Sequence, residues 1–216
     1  SSNDTSAATV DLAQLTFTNS NWATPQTITV AAPQDDDVVN ETPIVTAAIN
    51  AAGSDNAWDS VPNQTVNIAV TDNDTAGFSI FQPGGTTVVS EGGASDTFDV
   101  VLTAQPSSDV VLDISSNDTS SATVDLSQLT FTTSNWATPQ TITVSAPQDA
   151  DIVSETPTIT IAVNDASSDN AWDPLANQTV NVAVTDDDSA GFSVTESFGA
   201  TGVIEGGITD TFNVVL

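Results

Sequence analysis

SSNDTSAATVDLAQLTF, residues 1–17, returns as SSNDTSSATVDLSQLTF at residues 115–131, and the agreement runs on to Leu216. About 72 of the 102 positions overlaid by this 114-residue shift are identical. Self-similarity at one fixed spacing marks tandem copies of a single folding unit. Such a chain serves by its length, its stiffness and its joints.

Outward from the repeated stretch, apolar residues alternate with polar ones and do not recur at helical spacing, which predicts strands. GFSIF (77–81) with an extension TTVVS (86–90) is followed by DTFDVVL (96–102), which puts Phe98, Val100 and Leu102 on one face. DVVLDIS (109–115) presents Val110, Leu112 and Ile114, and SQLTFT (127–132) presents Leu129 and Phe131. QTITVS (140–145) offers Ile142 and Val144; TITIAV (158–163) offers Ile159, Ile161 and Val163; QTVNVAV (178–184) offers Val180, Val182 and Val184. Gly, Pro, Asn, Asp and Ser fill the connections, as turns require. Seven such strands in one period predict an all-β chain of tandem immunoglobulin-like, seven-stranded β-sandwiches, without helices. Residues 77–190 are then a complete repeat. Residues 1–76 are the C-terminal part of one repeat, its last four strands, and residues 191–216 are the first two strands of the next.

Composition narrows the chemistry. The chain carries 29 carboxylates and no Lys, Arg, His, Cys, Met or Tyr. Imidazole bases, thiolates and amine nucleophiles are therefore excluded, and no enzyme is expected. Nucleic-acid binding and docking on anionic lipid need basic residues and are excluded as well. No apolar run is long enough to span a bilayer, so direct membrane insertion is not expected. Disulfides and lysine isopeptide crosslinks are impossible, and no tryptic site exists. With no leader peptide in the sequence, the chain reads as a slice of a longer secreted protein at the cell surface. Six Asn-x-Thr sequons (Asn3, Asn40, Asn63, Asn73, Asn117 and Asn177) are candidate glycan acceptors.

A folded unit with only negative side chains repels itself, and cations must offset that. If successive strands alternate in direction, four distant segments meet at one pole. They bring Glu91 in VSEGG (89–93), Asp118 in SSNDTSS, and Asp149, Asp151 and Glu155 in PQDADIVSE (147–155). Asp186, Asp187 and Asp188 follow the last strand. The earlier copy offers Asp4, Asp35, Asp36, Asp37, Glu41, Asp72 and Asp74. Asp36 becomes Ala150 while Asn73 becomes Asp187, so the last two loops keep six carboxylates in each copy. Clustered carboxylates are the ligands of Ca²⁺, which takes six to eight oxygens; the plainer alternative is a solvated acidic rim. The opposite pole carries TAQPSS (103–108), TSNWATP (133–139) and NDASSDNAWDPLANQ (164–178). Trp136 and Trp172 there are expected to plug the sandwich end. Sugar stacking on Trp58 or Trp172 is the competing use.

DDDSAGFSV (186–194), V-x-E-G, a loop before LTF, then ITV followed by D-x-D-x-x-x-E and a closing D-x-D form an ordered set covering essentially the whole chain. The set resembles Calx-beta domains, and most closely the Calx-beta-like tandem repeats of very large bacterial surface proteins. The resemblance implies several calcium ions at one pole of an immunoglobulin-like sandwich. Carried over, Glu91 and Glu205 match the V-x-E-G glutamate. Asp149, Asp151 and Glu155, with Asp35, Asp37 and Glu41, match the acidic loop, and Asp186, Asp188, Asp72 and Asp74 match the terminal acids. The family's D-G-T-A loop is SSNDTSSA here, which leaves Asp4 and Asp118 outside the implied ligands.

The expected function is a structural repeat of an extracellular surface adhesin or fibre: a calcium-stiffened spacer whose partners are neighbouring repeats of the same protein. The alternatives are a protomer that polymerises with other copies into an extracellular filament or sheath, and a glycan-binding module using the loop tryptophans.

Overall fold

Alternation becomes burial in the centre of the chain. The computed structural model describes residues 1–216, with every side chain except that of Phe198. Strands β1 (Thr9–Val10), β2 (Val30–Ala31), β3 (Ile44–Ala47) and β4 (Gln64–Asn67) form two small antiparallel pairs in the N-terminal segment. The centre comprises β5 (Phe78–Phe81), β6 (Thr87–Ser90), β7 (Asp96–Leu102), β8 (Val110–Ser116), β9 (Thr123–Val124), β10 (Gln128–Phe131), β11 (Gln140–Ser145), β12 (Thr158–Val163) and β13 (Gln178–Thr185). A closing hairpin pairs β14 (Ser193–Glu196) with β15 (Phe212–Val215).

The central strands make two facing sheets, ordered β10-β8-β12-β13-β6 and β5-β7-β11-β9. All pairings are antiparallel except β13 with β6. Between the sheets lie Phe98, Val100, Leu102, Val110, Leu112, Ile114, Leu129, Phe131, Ile142, Val144, Ile159, Ile161, Val180, Val182 and Val184, all buried. These are the faces that the period-2 pattern selects. The fold is an all-β, immunoglobulin-like sandwich.

Two details differ from expectation. GFSIF and TTVVS are not one strand: β5 pairs with β7 in one sheet, and β6 pairs with β13 in the other. The intervening QPGG turn, with Gly85 at φ +81°, lets the chain change sheets. A two-residue β9 beside β11 is also new, formed where Ala122 and Val124 turn inward. Helix is confined, among the described residues, to four 3₁₀ turns of three residues.

The terminal segments lack such cover. Phe17, Val30 and Val66 are exposed, whereas Phe131, Val144 and Val180, 114 positions on, are buried. Every residue of β14 and β15 is exposed, and among the described residues that hairpin pairs with no other strand.

The passage from the N-terminal segment into β5 is pinned. Gly77 O accepts from Thr103 N (3.0 Å) and from Trp172 Nε1 (3.2 Å). Thr103 Oγ1 donates to Thr75 O (3.3 Å), and Ala76 packs on the central core.

Candidate metal centre

The parallel β6–β13 ladder sets the site. Its last register pair is Ser90 with Thr185, so Glu91 leaves one strand beside Asp186 leaving the other. Glu91 N donates to Thr185 O (3.1 Å), and Gly92 N donates to Ala146 O (3.3 Å). The second bond draws in the end of β11, and with it Gln148 and Asp149. Gly92 has φ +53°, a backbone conformation that strains other residues, and it sits against the Gln148 side chain where the loop turns beneath the site. Glu155 is tied in through its carbonyl, which accepts from Val184 N (3.0 Å).

Oxygens within 4.8 Å of one another come from three overlapping sets: Glu91, Asp149 and Asp186; Asp149, Asp151 and Glu155; and Glu91, Asp187 and Asp188. The earlier copy forms one set of four, Asp35, Asp37, Glu41 and Asp72. The local turns repeat. Asp149 Oδ1 accepts from Asp151 N (2.9 Å), Asp151 Oδ1 from Val153 N and Asp186 Oδ1 from Asp188 N (both 2.7 Å). In the earlier copy Asp37 Oδ1 accepts from Val39 N, and Asp72 Oδ1 from Asp74 N (both 2.7 Å). These aspartates thus spend one oxygen on their own loop and leave the other free.

Glu91 is only 2% exposed. Among the described residues, five buried side-chain atoms lack any hydrogen-bond partner: Asp35 Oδ1, Glu91 Oε2, Glu155 Oε2, Asp186 Oδ2 and Asp173 Oδ1. The first four belong to the acidic sets. A buried carboxylate oxygen without a partner is costly, and this chain has no cationic side chain to supply one. An all-oxygen, all-carboxylate donor set of this density fits Ca²⁺, which accepts irregular coordination, better than Mg²⁺, which keeps its waters.

Burial first, and then neighbouring carboxylates, push the Glu91, Glu155, Glu41 and Asp35 carboxyls above their ordinary values. Each therefore binds protons more tightly folded than unfolded, and stability falls as pH rises from the unfolded to the folded value. In chelator the protein is expected to melt higher at about pH 5 than at about pH 7, and added calcium is expected to abolish that difference. A metal-free melting temperature that is flat or rising across this interval overturns the assignment. Asp4 and Asp118 act oppositely, but only below the ordinary aspartate range, because hydrogen bonds from Ser6 and Ser120 lower them.

Not every acid read from the sequence joins a set. Asp118 is consumed by Ser120 N (3.0 Å), Ser120 Oγ and Ser121 Oγ (2.9 Å), and Asp4 is held likewise by Ser6 and Ala7. Asp36 is exposed, and Glu205 lies in the exposed turn of the closing hairpin. Asp74 Oδ2 accepts from Gln34 Nε2 (2.9 Å), as Asp187 Oδ1 does from Gln148 Nε2 (2.8 Å). The two glutamines brace the last loop from the acidic one. Their recurrence in PQD at both copies is a sequence signal for that role.

At the other pole Trp172 is fully buried and offers no sugar platform. Trp136 is half-buried against the core. Trp58 is exposed, but it occupies Trp172's position in the earlier copy. Sequence reading missed Asp169, which is buried and accepts from Ser107 N (2.8 Å), Ser107 Oγ (2.7 Å), Ser108 N (3.2 Å) and Ala171 N (3.0 Å). It fastens the loop after β7 to the loop after β12.

No known protein family matches the sequence, and no curated protein does. Among solved structures, domains 4 and 5 of the S-layer protein SbsC are similar at 20% identity and TM-score 0.40, over 68% of this chain and 59% of that one. The Salmonella enterica SafA pilin–SafB chaperone complex matches at 11% identity and TM-score 0.37, over 56% and 59%. The apo Calx CBD1 domain matches at 14% identity and TM-score 0.33, over 51% and 98%. The chain thus spans less than two thirds of the SbsC structure. With every TM-score below 0.5, these likenesses carry no functional argument.

Proposed function

We propose that this chain is a structural repeat of an extracellular surface protein, a non-catalytic spacer whose poles bind calcium and whose joints calcium stiffens. The observation that carries this reading is the set of buried, unpartnered carboxylate oxygens of Glu91, Glu155, Asp186 and Asp35 in a chain without a cationic side chain. An acidic rim serving only solubility would have no reason to bury Glu91. The earlier copy's ion loop also lies where the N-terminal segment enters the central sandwich, so an ion there acts on the joint. The imprint of the 114-residue repeat on both acidic poles supports a role by length and not by a single site.

The test is calorimetry and small-angle scattering of the 216-residue chain, in calcium and in excess chelator. A ligand at about a hundred times its Kd stabilises the state that binds it by about 2.7 kcal/mol per site. Calcium is therefore expected to raise the melting temperature and to sharpen the long-distance end of the scattering profile. Unchanged melting and unchanged shape would return the acids to a solubilising rim.

A further inference from the structure

We infer that the acidic loop is also a docking surface, and that its occupant is the next repeat: the loop grips the segment that follows that repeat's β7 strand, while an apolar plug beside the carboxylates, Val38 or its counterpart Ile152, packs against that repeat's core. This chain shows the contact in its earlier copy. In the earlier copy, Asp36 O accepts from Gln105 N (2.7 Å), Asp37 and Gln105 form a parallel bridge, and Val38 packs against the central core. Gln105 is itself anchored, its Nε2 donating to Thr133 O (2.7 Å). The counterparts in the later copy are Asp149, Asp151 and Ile152.

Charge fits this occupant. In a chain of net charge −29, most surfaces repel an acidic loop. The receptor TAQPSS (103–108) carries no acid. The nearby Asp169 carboxylate is turned inward onto Ser107 and Ser108. The receptor thus presents backbone N–H and apolar surface where the incoming loop presents carbonyls and Val38. Ion loop and docking loop being one segment, an ion held by Asp35 and Asp37 would also order the residues that grip Gln105; that last step rests on the calcium reading, and the docking does not.

The experiment is amide hydrogen exchange of the full chain in chelator, with Gln105 as reporter. Val38→Ser is expected to speed Gln105 exchange by about tenfold or more and to broaden the scattering-derived shape. Ile152→Ser, at the counterpart position of the later copy, is expected to leave Gln105 unchanged. Gln105→Pro, which deletes the donor and keeps the plug, is expected to broaden the shape as Val38→Ser does. Equal exchange in wild type and Val38→Ser, equal effects of Val38→Ser and Ile152→Ser, or an unbroadened Gln105→Pro shape overturns the docking surface. Because these readouts are taken without metal, they are separate from the calcium reading; if calcium then fails to slow Gln105 in wild type, only the coupling step falls.

Discussion

Trp172→Ala is expected to cost about 3–5 kcal/mol of stability, a large share of the roughly 5–15 kcal/mol that holds a typical domain together. Trp172 is the largest fully buried side chain of the central sandwich and closes one end of it. Its backbone is fixed on both sides, its N–H donating to Asp169 O (2.9 Å) and its carbonyl accepting from Leu175 N (3.0 Å). Truncation would leave a cavity the neighbours cannot fill and would strip Gly77 O of the indole donor. Trp172→Phe keeps most of the apolar surface but not that donor, and an intermediate loss is expected. Denaturant unfolding of both variants checks the ranking; a loss for Trp172→Ala no larger than that for Trp172→Phe would refute the plug.

Glu91→Gln is expected to move two quantities in opposite directions. Without metal, the substitution removes a buried charge that has no counter-ion and one unpartnered oxygen, so the chelated protein should melt higher than wild type. Glu91 belongs to two of the three carboxylate sets of the later copy, so under the calcium proposal it would be a ligand there. Losing its charge should weaken binding there by about tenfold or more, since even outer-shell changes cost about 10–100-fold. Melts in chelator and calcium titrations on the same variant separate the two effects. A variant less stable in chelator would mean that Glu91 is satisfied without an ion. A variant more stable in chelator with unchanged calcium affinity would mean that Glu91 lies outside the metal shell.

The core was legible because sandwiches bury alternate residues, and DTFDVVL, TITIAV and QTVNVAV write that alternation openly. Strand direction was legible too, and it gathered Glu91, Asp149 and Asp186 at one pole without any contact information. The sheet switch between Phe81 and Thr87 was not, since GFSIF and TTVVS alternate alike whichever sheet they join. Asp118 could not be told from Asp186 by type or pole. What separates them is that hydroxyls of Ser120 and Ser121 reach Asp118, while none reaches Asp186 Oδ2.

By itself the sequence determined the repeat, the sandwich, the pole of the acids and the absence of any protein cation, because periodicity and composition are properties of the chain alone. Only the tertiary structure decided which carboxylates are buried without partners, that Trp172 lies inside, and that Asp36 and Gln105 meet. Those facts depend on which loops close over which side chains, and desolvation and hydrogen bonding are assigned only when segments far apart in sequence are packed together.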